Sequence, residues 1–209
     1  MNLYLEYHHP ENIKRQEEIK TSILNNINSN IFKNIYIFCE EIFLDKLKSF
    51  CKETNFIKIV VGKDSKTFQD IFEFSNEVTT EDDINVVINN DIELTDSYRN
   101  MPDKISKNMF FCITRYENDG KVRRGHGRNT QDVWCWLGKT KIKNCNFKFG
   151  ILGCDNTIAY RAHEAGYTVL NPSFTFVSKH HHDSQFRVRR GNVPRLPKQY
   201  YKTVNACQI

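Results

Sequence analysis

Asn89-Asn90-Asp91-Ile92-Glu93 follows a short apolar run, Ile84 to Ile88, and carries two carboxylates two residues apart. In an extended segment that spacing turns both toward one side, where they can hold one hard cation. A divalent ion there can bridge two phosphates and neutralise charge on a departing diphosphate. A solvated turn after a strand explains the same letters without chemistry. Far along the chain stands His180-His181-His182-Asp183. Alternation puts His180 and His182 on one face, where neutral imidazoles bind a metal once a carboxylate joins them, and the Asp91 strand end can supply it. A polar strand end is the plainer account.

Gly150-Ile151-Leu152-Gly153-Cys154-Asp155-Asn156 is a glycine-bracketed turn running into a helix. Asp155 or Asn156 either caps that helix or, in the case of Asp155, serves as a general base for an acceptor hydroxyl at a pocket mouth. Gln131-Asp132-Val133-Trp134 sets an acid beside an aromatic wall, a pairing suited to sugar hydroxyls and an apolar sugar face. Arg123-Arg124-Gly125-His126-Gly127-Arg128 reads as a basic loop able to close over an anion, or as a solvated hairpin tip. Arg15 and Arg115 are further phosphate candidates.

The elements that must position these residues alternate. Strands are expected at Asn2 to Tyr7, Ile35 to Phe38, Phe56 to Val61 and Ile84 to Ile88. Helices are expected between them, at Glu11 to Ile27, Phe43 to Cys51 and Thr67 to Asn76. Such alternation predicts an α/β fold with a mostly parallel sheet covered on both faces, and ligands beyond the carboxyl ends of its strands. The second half is less regular. Met109 to Thr114, Val133 to Leu137, Tyr167 to Leu170 and Thr175 to His180 read as strands, Gly120 to Asn129 as a loop, and Cys154 to Ala165 as a helix ended by Gly166.

At 209 residues, one domain with a full core needs no disulfide or metal staple. No run approaches about 18 uninterrupted apolar residues, so no transmembrane segment is expected, and Met1 to Pro10 lacks the features of a secretory signal. Seven scattered cysteines without CxxC pairs read as reduced core residues of a cytoplasmic protein. The net charge of +5 is localised: seven basic residues and one acid fall in 179–209, leaving the rest of the chain almost balanced. From 188 onward that basic end has no aromatics before Tyr200 and Tyr201, which argues against a nucleic-acid partner, and Pro194 and Pro197 suggest a tail or linker over 188–209, leading to a further domain of a longer chain.

The segments SKTFQDIFEFSN, INVVINNDIEL, ITRYE, TQDVWCW and FGILGCDNTIAYRAHEAGYTVLNPSFTFVSKHHHDSQFR, in this order, resemble small nucleotide-diphosphosugar glycosyltransferases of the GT-A fold, including those of large algal (chlorella) viruses. The resemblance covers most of 1–187 and implies a Rossmann-like GT-A domain, with a nucleotide-sugar half at 1–100 and an acceptor half at 101–187. It implies a UDP-sugar donor, a divalent ion, usually Mn²⁺ with Mg²⁺ the alternative, a glycan or glycoprotein acceptor, and hexosyltransferase chemistry. Asn90-Asp91-Ile92-Glu93 matches the acidic metal motif, with Glu93 in place of the second Asp. His180 and His182 match the H-x-H ending. Tyr7, His8, Arg15, Ser65, Lys66 and Thr67 fall where the family places nucleoside contacts, and Asp155 where an inverting member has its base. Two other classes fit the same letters: a nucleotidyltransferase or nucleotide-sugar hydrolase, and a non-enzymatic binding module with a basic tail.

Overall fold

The computed structural model describes residues 1–117, 120, 130–183 and 194–209; the Arg123 to Arg128 loop and Arg187, Arg189 and Arg190 lie outside the described residues. Strands β1 (Asn2–Tyr7), β2 (Asn34–Glu40), β3 (Ile57–Gly62) and β4 (Ile84–Ile88) pair in parallel. The sheet continues through β6 (Met109–Ile113), β7 (Val133–Leu137) and β8 (Thr168–Leu170) in the order β3-β2-β1-β4-β7-β6-β8, and β7 alone runs against its neighbours. A separate two-stranded ribbon joins β5 (Ile92–Leu94) to β9 (Ser178–His180), setting Ile92 opposite His180. This is the mostly parallel, helix-covered α/β sheet that the alternation predicts.

Period-two alternation sorts the core into two layers. Leu3, Leu5 and Tyr7 of β1 face helix α1 (Ile13–Asn28) and the short α2 (Leu44–Lys48), meeting Ile19, Ile23 and Leu47. Tyr4 faces the other way, with Phe38 and Trp136, toward α3 (Phe68–Val78) and α4 (Cys154–Glu164). Two start signals are explicit. The Asn12 side chain caps α1 at the Arg15 N–H, and Thr67 with Asp70 forms a reciprocal capping box on α3.

One buried side chain ties α1 to the ribbon. Asn26 donates to the Ile92 carbonyl at 2.7 Å and accepts from the Leu94 N–H at 3.0 Å, satisfying the edge of β5 that β9 does not reach. Asn26→Ala strands both backbone groups, and an equilibrium urea melt is expected to show a loss of about 1–3 kcal/mol. A loss within experimental error would mean that the ribbon does not depend on this latch.

Two sequence expectations change here. The strand expected at Thr175 to His180 is shorter because the chain turns at Pro172, whose carbonyl accepts from Thr175 and Phe176, so only Ser178–His180 is extended. Residues 194–209 pack against the body rather than trailing from it. Arg195 bridges to Leu152, Ala206 to Asn171, and the Asn156 and Asn171 side chains donate to the carbonyls of Lys202 and Val204. Gly153 exists for this return: its φ is +89°, and an added Cβ would lie 1.7 Å from the Tyr201 hydroxyl. All seven cysteines are free and six are buried. Among the described residues no helix is long and apolar enough to cross a membrane.

Candidate active site

β1, β2 and β4 all end at one edge of the sheet, and a cavity of about 450 Å³ opens there, lined by Glu6, His8, Arg15, Asn90, Asp91 and Phe149 among others. Asp91 sits at its floor, 7% exposed. One oxygen, Oδ2, contacts Arg15 Nη2 and meets His180 Nε2 at 3.0 Å. Ligand atoms of Asp91, His180 and His182 all lie within 4.8 Å of one another, and the two imidazoles stack with centroids 5.1 Å apart. Burial opposes ionisation of Asp91, yet hydrogen bonds from His180 and His182 and the nearby charges of His180 and Arg15 hold its carboxyl well below the usual range. Burial likewise works against the charged form of His180, and Asp91 overrides it, raising the imidazole.

These residues fit a divalent ion. One carboxylate oxygen with two imidazole nitrogens is a donor set for a first-row metal. His182 Nε2 is buried and meets no hydrogen-bond partner, which is costly unless the ring serves a ligand. His180 and His182 come together because β9 delivers one and the chain beyond it the other, with the His181 N–H donating to the Asp91 carbonyl at 2.9 Å between them.

A second cavity, also about 450 Å³, adjoins the first and shares Asn89 and Gly150 with it; Asp132, Asp155, Asn156, Arg195 and Tyr201 are among its lining residues. Asp155 stands in the first turn of α4 and accepts from the Cys154 thiol at 3.0 Å and from the Gln131 backbone N–H. Burial and the neighbouring Asp132 charge push its carboxyl up to about 7. Asp132 stays paired: both of its oxygens accept from Arg115 Nη1 at 2.9 Å, and Oδ1 also accepts from Asn89 at 2.8 Å. The arrangement sets a cluster able to hold a cation, reached through Asp91 at one cavity, beside a carboxyl poised near neutrality in the next.

No protein-family model and no curated protein matches the chain, but solved structures do. GalNAc-T7 in complex with UDP, GalNAc and Mn²⁺ superposes with a TM-score of 0.52 at 9% identity, over 92% of this chain and 44% of that one. The 1–349 portion of S. aureus TarS gives 0.50 at 9% identity, over 84% of this chain and 59% of that one. A 4-diphosphocytidyl-2C-methyl-D-erythritol synthase from Anaerococcus prevotii gives 0.51 at 10% identity, over 91% and 90%. The fold is that of the GT-A nucleotide-sugar transferases. The chain thus spans about half the length of GalNAc-T7 and of the TarS portion.

Within this GT-A frame the expected donor-site residues divide. His8, Arg15, Ser65, Asn90 and Asp91 line the first cavity. His8 Nδ1 lies 2.8 Å from the Asn90 amide, and its imidazole is lowered by burial, then by Arg15. Tyr7 turns to the opposite layer, packing on Phe50 and reaching His9, because strand alternation gives the cavity Glu6 and His8 instead. Thr67 is consumed by the α3 capping box, and Lys66 contributes its backbone N–H to Glu6 Oε1 at 2.6 Å. Glu93 stands apart from the Asp91 cluster, correcting its expected metal role. Ile92 donates back to the Asn89 carbonyl, so 89–92 is a turn and alternation does not carry through it. Glu93 is held instead by Asn25 at 2.6 Å, His181 at 2.8 Å and Lys179 at 3.1 Å. Arg115 is not available to a phosphate in this arrangement, being buried against Asp132 and Glu117.

Two residues escaped the sequence reading. Glu6 lines the first cavity with its carboxyl pushed up to about 7 by burial, against the opposing hydrogen bond from Lys66. Glu117 meets His180. Alternation along β1, with His8 already in view, was the available signal for Glu6.

Proposed function

We propose that the protein transfers a sugar from a UDP-sugar to an acceptor hydroxyl, with inversion and with the help of Mn²⁺ or Mg²⁺. The observation that carries this reading is the adjacency of the two cavities, one lined by Asp91, whose carboxylate gathers His180 and His182 behind it, and the other by the near-neutral carboxyl of Asp155. The bound UDP and Mn²⁺ of GalNAc-T7 support the donor and the ion. The algal-virus resemblance in the sequence supports a glycan or glycoprotein acceptor.

The chemistry divides among the chain's own residues. Asp91, His180 and His182 would hold the ion, which when bound neutralises charge on the diphosphate leaving group. Arg15 swings from Asp91 to a phosphate oxygen as its counter-charge is taken over, and His8 and Asn90 fix the nucleotide at the end of β1. Asp155 takes the proton of the acceptor hydroxyl while that oxygen forms its bond to the anomeric carbon. The bond from that carbon to the phosphate oxygen breaks, and its electron pair leaves with UDP.

Product analysis tests this. Incubation with a panel of UDP-sugars and candidate glycan acceptors is expected to yield UDP and a glycoside of inverted configuration, assigned by NMR. Release of UMP would mark a nucleotidyltransferase-type reaction or pyrophosphate cleavage, and a glycoside of retained configuration would reject Asp155 as the base of an inverting displacement.

A further inference from the structure

His180 is contacted on both ring nitrogens, and only one of them faces Asp91. Its Nδ1 lies 3.0 Å from Glu117 Oε2, while Nε2 points at Asp91. The other Glu117 oxygen is not free to turn. Oε1 accepts from Arg115 Nε at 3.2 Å, and Arg115 is in turn gripped by both oxygens of Asp132. The backbone fixes the same geometry. Tyr116 pairs with Lys179 across to β9, its N–H donating to Ser178 and its carbonyl accepting from His180, so Arg115 and Glu117 share the face that Tyr116 leaves, and the Tyr116 hydroxyl is spent on the Ser173 carbonyl. Burial favours the neutral acid at Glu117, but His180 and Arg115 outweigh it and hold the carboxyl below its usual range.

We propose that Glu117 is a positioning residue for His180: it accepts from Nδ1–H and so holds the ring with Nε2 presented to the ion, while Arg115 and Asp132 lock Glu117 from behind. The inference rests on the metal site in the proposed function. An imidazole ligand donating its second ring nitrogen to a carboxylate gains both a fixed orientation and basicity, and loss of such a partner lowers metal affinity roughly 10- to 100-fold. The same chain of contacts, Asp91–His180–Glu117–Arg115–Asp132, connects the donor cavity with the acid that neighbours Asp155.

The test is a Mn²⁺ titration, followed by electron paramagnetic resonance, of the wild type, Glu117→Ala, Glu117→Gln, His180→Ala and the double variant Glu117→Ala/His180→Ala. Glu117→Ala is expected to weaken binding about 10- to 100-fold. Glu117→Gln, which keeps an acceptor oxygen, is expected to recover most of that loss. In the His180→Ala background, removing Glu117 is expected to change affinity by less than about twofold, since it acts through that ring. Wild-type affinity in Glu117→Ala would overturn the proposal while leaving the metal site standing, as would an undiminished loss in the His180→Ala background. A wild type that takes up no Mn²⁺ would overturn both.

Discussion

Asp155→Asn is expected to lower the transfer rate roughly 100-fold or more while leaving donor affinity near wild type, because a base works only as the acceptor proton moves. The pH profile should carry the same residue's signature. Burial and Asp132 push the Asp155 carboxyl up to about 7, so the active, ionised form accumulates as pH rises through that value and wild-type turnover should climb with it. Stability should move the other way. A carboxyl whose pKa is higher folded than unfolded binds more protons in the folded state from roughly 4 to 7, so its contribution to stability falls as pH rises across that window. Asn carries no such penalty, and thermal melts above pH 7 should find the variant at least as stable as the wild type. Unchanged turnover, or a rate that does not rise toward pH 7, would remove Asp155 from the chemistry.

Asp91→Asn is expected to weaken Mn²⁺-dependent UDP binding on the order of 100-fold or more, a difference of about 2.7 kcal/mol. Asn is the informative substitution. Asp91→Ala would open a cavity and remove the oxygen that Arg15 Nη2 and His180 Nε2 share, leaving them to Glu18 and Glu117 alone, and would mix a loss of packing with the loss of binding. The amide keeps the shape and one oxygen but gives up the negative charge that a cation needs. Calorimetry on the folded variant decides the point: wild-type UDP affinity in the presence of Mn²⁺ would take Asp91 out of the site. His182→Ala, which removes a neighbour that helps hold the Asp91 carboxyl low along with an Nε2 that meets no partner, should weaken binding in the same direction.

The regular half of this chain announced itself because its signals are local. β1 and β4 run over the residues where their apolar and β-branched letters lie, and Thr67 with Asp70 marks the start of α3 through a contact three residues long. Asp91 was legible for a related reason: a carboxylate just past a buried strand of a parallel sheet stands where such sheets bind ligands. What failed was alternation extended too far or applied too little. Carried through the turn at Asn89, it sent Glu93 to the wrong partners; left unused at β1, it kept Tyr7 in the site and Glu6 out of it. The remaining gaps are contacts between distant segments. Nothing near Glu117 in sequence shows that His180, 63 residues away, will meet it, and Pro194 and Pro197 gave no sign that Asn156 and Asn171 would hold the chain's end against the body.

The central claim is that Asp91, His180 and His182 bind a divalent ion that in turn binds a nucleoside diphosphate. Calorimetric titration of UDP into the wild-type protein, once with Mn²⁺ and once with EDTA, tests it most directly. Saturable binding with Mn²⁺ that disappears in EDTA is the expected result; equal affinity in both, or none in either, would contradict it.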